Sequence, residues 1–322
     1  MNVESTDETD LTRGYATALL SAAILSTTAI FIRYLTLNYD MPALVLAFWR
    51  AVFVALTLLP ILAIRRRDLL RTTSKHREYL LLFGFILSIF NALWTLSVAM
   101  NGAAISTVLA YSSAAFTALL GRWLLQERLG WGKILAVVLC ITGCVLVAEA
   151  YDANAWQSNT LGILTGILSG LAYAVYSLMG RSASQRGLNP WTTLCYTFSF
   201  AAVFLLAYNL IPGIEVPGTI NRFKDFFWLQ DSLAGWGALL LLAAGPTLSG
   251  YGLYNVSLSY LPSSTVNLIL TLEPAFTATL AYILFGERLN QIQIAGSFLI
   301  ISGVAILRLF ENRFANRRLR VM

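Results

Sequence analysis

Apolar runs long enough to cross a lipid bilayer constrain this chain more than any other feature. A membrane-spanning helix needs about 20 mostly apolar residues. Ten segments meet or approach that length, at residues 15–32, 42–64, 79–100, 103–121, 131–149, 161–180, 190–211, 233–257, 263–285 and 291–309. Within hydrocarbon the backbone must satisfy its own polar groups, which leaves helices or closed barrels. These runs are continuously apolar rather than alternating, and short loops join them, so they read as helices. Only 12% of the 322 residues are charged and 57% are hydrophobic, whereas a soluble domain carries about 25% charged residues. The expected fold is an all-α integral membrane protein with ten transmembrane helices.

The basic residues give the orientation. The net charge is +6, but the cations lie between apolar runs rather than on one polar face, so no nucleic-acid partner is expected. With a cytoplasmic N-terminus, seventeen Lys and Arg fall inside and four fall outside (Arg33, Arg222, Lys224 and Arg288), with Arg50 inside a span. That bias puts both termini in the cytoplasm, as in a multi-pass protein of a bacterial inner membrane. Residues 1–13 are acidic and lack a basic start and a small-residue cleavage site, so they read as a short tail before an uncleaved first span. Residues 310–322 form a basic tail. The loop "RRRDLLRTTSKHR" (65–77) reads as a topology determinant that also meets anionic headgroups, making membrane lipid an expected partner. In the longest loop, 212–232, "NRFKDFFWLQD" reads as an interfacial helix on the outer face.

The chain repeats itself. Gly14, Ala18, Ala22 and Ser26 recur 148 residues later as Gly162, Gly166, Gly170 and Ala174, and the same offset takes Arg33 to Arg181 and Pro42 to Pro190. At an offset of 160, "AFTA" (115–118) matches 275–278 and "ERL" (127–129) matches 287–289. The halves are residues 14–150 and 161–309, five helices each. Five is odd, so the second half enters the membrane from the opposite side, giving an inverted repeat of the kind secondary transporters use. The small-residue stripes allow close helix approach. They read as packing inside the bundle, as a contact that slides during transport, or as the contact of a homodimer.

Ionisable groups within spans are functional candidates by default. Glu273 lies roughly 15 Å into the ninth span and Arg50 roughly 12 Å into the second. Their repeat counterparts, Ser113 and Phe198, are uncharged. Three readings are open. Glu273 and Arg50 neutralise each other; a protonated Glu273 bonds to freed backbone; or Glu273 faces an aqueous cavity and binds a substrate ammonium or a proton. Pro274 cannot donate to the carbonyl of Leu270, so a helix kink is expected there, with Asn267, Thr271 and Thr277 near enough to serve the bend. Pro246, after Gly245, marks a second bend. Candidate cavity walls are Ser88, Asn91, Trp94 and Thr95; Tyr111 and Ser113; Ser169, Tyr173, Tyr176 and Ser177; and Ser249, Tyr251, Tyr254 and Asn255. Aromatic residues near the midplane are unlike the usual interfacial belt. They either line the cavity, where they suit an apolar side chain or a cationic amine, or fill the core.

Other chemistry finds little support. Cys140, Cys144 and Cys195 all lie within apolar runs, and His76 is the only histidine. No metal site, cofactor or catalytic triad is expected, and the chain does not read as an enzyme. A channel would show a ring of charges or a filter loop, and neither is evident.

The segment "LEPAFTATLAYILFGERL" (272–289), the arginine of "FWRAVFVAL" (48–56) and the two five-helix halves resemble the drug/metabolite transporter superfamily, and within it the EamA-type exporters. The first half departs from the motif: Ser113-Ala114 stand in the Glu-Pro place, and Gln126 precedes Glu127 where Gly286 precedes Glu287. The resemblance implies transport of a small organic metabolite through a midplane cavity. An amino acid carries both charges that Glu273 and Arg50 would meet, an amine only the one that Glu273 would; export is what the resemblance implies, with protons as a candidate coupling ion. Carboxylates, sugars and drug-like cations are the alternatives within the superfamily.

Overall fold

A computed structural model describes residues 8–113, 115–117, 119–120, 131–147, 151–210, 217–220, 222–261, 266, 269–270 and 272–319. Helix α1 covers Glu8–Asn38, α2 Ala43–Arg65, α3 Ser74–Asn101, α4 Ala103–Ala110, α5 Trp131–Val147 and α6 Ala153–Gln185. Then follow α7 Pro190–Leu210, α8 Leu233–Leu242, α9 Leu248–Tyr260, α10 Glu273–Phe285 and α11 Gln291–Leu319. Among the described residues, six helices are long and apolar enough to cross a membrane: Asp10–Asn38, Ala43–Arg65, Ser74–Asn101, Asn159–Gln185, Pro190–Leu210 and Leu233–Tyr260. Of the other four expected spans, three contain shorter helices, α4, α5 and α10, and in the fourth the apolar part of α11 is confined to Gln291–Gly303.

Local chemistry sets several element ends. Thr73 caps α3 by accepting from the backbone N–H of His76 at 3.4 Å. Asn159 interrupts α6 with φ −146° and ψ 39°, and its side-chain oxygen accepts from Gly162 N at 3.2 Å. That arrangement is an N-cap, and the apolar part of α6 starts there. Between α8 and α9, Ala243–Thr247 form a π-helical turn containing Pro246. A proline lacks the N–H that the α-helical ladder needs, and a widened turn is one way to accommodate it. Gly286, with φ +67°, ends α10 in the left-handed conformation, which favours glycine.

Packing follows a regular pattern. Helix α1 lies on α9, and α6 lies on α3; α2 lies on α7, α4 on α10, and α5 on α11. Both small-residue stripes are spent on these contacts. A Cβ on Gly14 would stand 2.7 Å from Leu261 Cγ, and one on Gly250 would stand 2.6 Å from Leu25 Cδ2. Ser21 Oγ adds a bond to Gly250 O at 2.9 Å. On α6, Gly166 abuts Leu109 and Gly170 abuts Ser112. Of the readings open for the stripes, packing within the bundle is the one these contacts show. Between α5 and α11, a Cβ on Gly143 would stand 2.6 Å from Gly296 O.

The polarity is inside out relative to a soluble protein. Arg50, Asn91, Thr95, Ser97, Ser169 and Glu273 are buried, while Leu20, Leu56, Ile64, Val203, Leu241, Ile283 and Phe298 are exposed. An apolar surface of this kind is matched by lipid tails. The expected interfacial helix at 221–231 is instead a 3-10 turn over Phe223–Phe227 where it is described. Ring and backbone contacts hold it. Trp49 Nε1 donates to Phe226 O at 2.6 Å, Trp228 Nε1 donates to Tyr39 O at 2.9 Å, and the Phe48 and Phe226 rings meet edge to face at 5.1 Å.

Candidate functional site

Two short helices meet where the fold is interrupted. Helix α4 ends at Ala110 and passes into a turn at Tyr111–Ser112; α10 begins at Glu273, after a turn at Leu272. At the 160-residue offset these interruptions coincide. Pro274 therefore sits in the first turn of a helix, where its missing N–H has no carbonyl to reach. The kink expected within one helix takes the form of a helix start. The first half makes the same interruption with no proline.

Glu273 is buried, 7% exposed, and its Oε2 accepts from the Tyr111 hydroxyl at 2.6 Å. Thr277, one turn on, donates to Ser26 O at 3.1 Å and holds α10 against α1. A small cavity opens beside Glu273. Leu25, Thr28, Phe90, Trp94, Thr107, Ala110, Tyr111, Tyr173 and Tyr251 complete its lining. Its volume, about 20 Å³, accommodates one or two waters and no metabolite.

An aromatic stack backs the cavity. Phe90 and Tyr173 are stacked at 5.1 Å, Tyr173 and Tyr176 at 6.3 Å, and Tyr176 and Tyr254 at 6.1 Å. The Tyr254 hydroxyl and Ser177 Oγ share a hydrogen bond of 2.6 Å.

Arg50 is buried with no exposed surface. Its Nη2 donates to Asn91 Oδ1 at 2.6 Å and reaches Thr95 Oγ1 at 3.5 Å. Its guanidinium stands 5.4 Å from the Trp94 ring centre, within cation–π range. Arg50 Nε and Nη1, and Asn91 Nδ2, have no hydrogen-bond partner among the described residues. Arg50 and Glu273 form no ion pair. The mutual neutralisation open from the sequence is absent from this conformation.

Of the residues singled out from sequence, Glu273, Tyr111, Trp94, Tyr173 and Tyr251 line the cavity. Arg50 and Asn91 form the adjoining cation cluster, and Tyr176 and Tyr254 belong to the stack behind. Ser113 is buried beside the break, with no partner for its Oγ among the described residues. Pro246 lies in the π turn. Asn267 and Thr271 lie outside the described residues. Sequence reasoning passed over Leu25, Thr28, Phe90, Thr107 and Ala110. Phe90 stands four residues before Trp94, on its helical face, and Thr28 is a hydroxyl in an apolar run; those were the available signals.

The profile of the EamA-like transporter family matches residues 12–148 and again residues 160–309. An uncharacterized transporter of Archaeoglobus fulgidus is 26% identical over 297 residues, covering 91% of this chain and 95% of that protein. A Salmonella typhimurium protein named "Probable amino-acid metabolite efflux pump" is 24% identical over 204 residues, 63% of this chain and 67% of its own. One crystal structure, of a protein 16% identical, superposes with a TM-score of 0.61 over 94% of this chain and 98% of the other. At that identity the likeness concerns the fold.

Proposed function

The chain belongs to the EamA-like transporter family, and on that premise we propose that it exports an amino acid or related amine by alternating access. One observation carries the substrate class. Two buried groups of opposite charge, Glu273 on the cavity wall and Arg50 against Trp94 of the same wall, stand without pairing with each other. A buried charge is costly unless compensated. Arg50 keeps two unpartnered nitrogens beside an unpartnered amide of Asn91. A carboxylate would satisfy these donors in the planar geometry that guanidinium favours. Glu273, on the cavity wall with the aromatic rings, takes an ammonium or a proton. An amino acid carries both charges. The name of the Salmonella relative agrees with this class.

The inverted repeat is the frame for the cycle. Two separate matches to one family profile support it. So does the exchange of neighbours. The first helix of each half packs on the third of the other, and second, fourth and fifth helices pack on their own counterparts. A two-fold axis in the membrane plane produces that pattern. We place both termini in the cytoplasm of a bacterial inner membrane, on the distribution of Lys and Arg.

Purified protein in liposomes tests the reading. Labelled amino acid should exchange saturably with unlabelled amino acid. Glu273→Gln should abolish the exchange or change its pH dependence. Arg50→Gln should weaken amino-acid competition by about tenfold or more while sparing the corresponding decarboxylated amine, as expected for a charged hydrogen bond of about 1.5–3 kcal/mol. Flux that never saturates, or competition by sugars and not by amino acids, would overturn it.

A further inference from the structure

Glu287 joins three helix ends of the other half. Its Oε1 accepts from Arg33 Nε at 2.9 Å, and this is the one ion pair between the two halves among the described residues. Oε1 and Oε2 accept from the backbone N–H of Ala103 at 3.3 and 3.0 Å, and Oε2 from that of Ala104 at 3.3 Å. Those donors belong to the first turn of α4, which has no helical acceptors for them, and a carboxylate there suits the helix dipole. Arg33 Nη1 in turn donates to Ala99 O, near the end of α3, at 3.0 Å.

Two glycines permit the junction. Gly102 has φ +84°, and a Cβ there would stand 2.8 Å from Glu287 Oε1. Gly286 ends α10 and turns the chain so that Glu287 reaches across. The side chains of Arg33 and Glu287 are 20% and 17% exposed, so water reaches the junction, in contrast to Glu273.

The far end of the same helix pair carries the cavity carboxyl. Tyr111, the residue after α4, donates to Glu273, the first residue of α10. Helices α4 and α10 therefore lie side by side and antiparallel, tied at both ends. Helix α4 has only eight residues, roughly 12 Å.

We propose that Glu287 is the latch of the mouth on this face, and that the α4–α10 pair couples the latch to Glu273. Opening this face separates Glu287 from Arg33 and from the start of α4. The displaced helix carries Tyr111 away from Glu273. Conversely, a ligand that takes Glu273 from Tyr111 frees the end of α4 and loosens the latch. This device concerns how one mouth closes, whatever the cargo.

Thiol labelling of the full chain in oriented membranes tests it without any substrate. With Cys140, Cys144 and Cys195 replaced by alanine, Thr28→Cys reports access to the cavity. Asn38→Cys, exposed at the same end of α1 as Arg33, reports which side that face occupies. A membrane-impermeant thiol reagent is added to intact cells or to inverted vesicles. From the side that labels Asn38→Cys, Glu287→Gln should speed modification of Thr28→Cys about tenfold, corresponding to a loss of about 1.4 kcal/mol in holding the mouth shut. Tyr111→Phe should speed it comparably, though it touches neither Glu287 nor Arg33. Arg33→Lys, which keeps the charge, should stay nearer the parent than Arg33→Gln. If Glu287→Gln does not fold, Arg33→Gln carries the same expectation. An unchanged rate in the latch variants overturns the latch; an unchanged rate in Tyr111→Phe alone overturns the coupling.

Discussion

Glu273 and Tyr111 show how little of a buried site depends on any one residue's chemistry and how much on its neighbours. Tyr111→Phe keeps the ring in the cavity wall and removes the donor at 2.6 Å. A buried acceptor left unsatisfied costs about 1–3 kcal/mol, so thermal unfolding in detergent should show a lower midpoint, and exchange should slow. An unchanged midpoint would mean that Glu273 has another partner. Glu273, Trp94, Tyr111 and Tyr173 were legible in the sequence because polar or aromatic side chains stand out at midplane depth. Leu25, Phe90 and Ala110 were not, since an apolar residue facing a cavity reads like one facing lipid. The pairing of Arg50 with Asn91 was also hidden: each stood out alone, but spacing along one helix says nothing of what a second helix brings to it.

At the level of elements, hydropathy located the helices better than their interruptions. The start of α10 follows from Glu273-Pro274, because proline is favoured in a first turn. The turn at Tyr111–Ser112 has no such marker, and the comparison of the two halves suggested only a difference there. The break is common to both halves and the carboxyl belongs to one. The π turn offers a test of an element. Pro246→Ala restores an N–H and permits a regular helix from Leu233 to Tyr260. Regularising it should raise the unfolding midpoint in detergent, since proline costs up to about 3 kcal/mol in a helix interior. The same change should slow exchange if the bend moves during transport. A variant with a lower midpoint would show that the surrounding packing has been built around the widened turn.

For the whole molecule, six of the ten expected spans appear as helices long and apolar enough to cross a membrane, and the other four show shorter apolar helical stretches among the described residues. The proposed two-half arrangement rests, in the sequence, on one tetrapeptide and one tripeptide match that share one offset. Which helices of the halves touch was not, since that depends on contacts between segments far apart in the chain. Orientation gives a prediction at this scale. Reporters active only in the cytoplasm should work when fused to either terminus, and reporters active only outside should work in the loop after α7. The reverse result would place Glu287 and Arg33 on the cytoplasmic face and exchange the sides assigned to every loop.

The small size of the cavity beside Glu273 is also a statement about time. A space of about 20 Å³ passes nothing larger than water while the helices stand still. In the proposed cycle each solute that crosses waits for packed helices to part and close again. Collective motions of that kind take microseconds to milliseconds. Turnover therefore has a ceiling of roughly 10³–10⁶ events per second set by the protein's own movements, and raising the solute concentration cannot lift it.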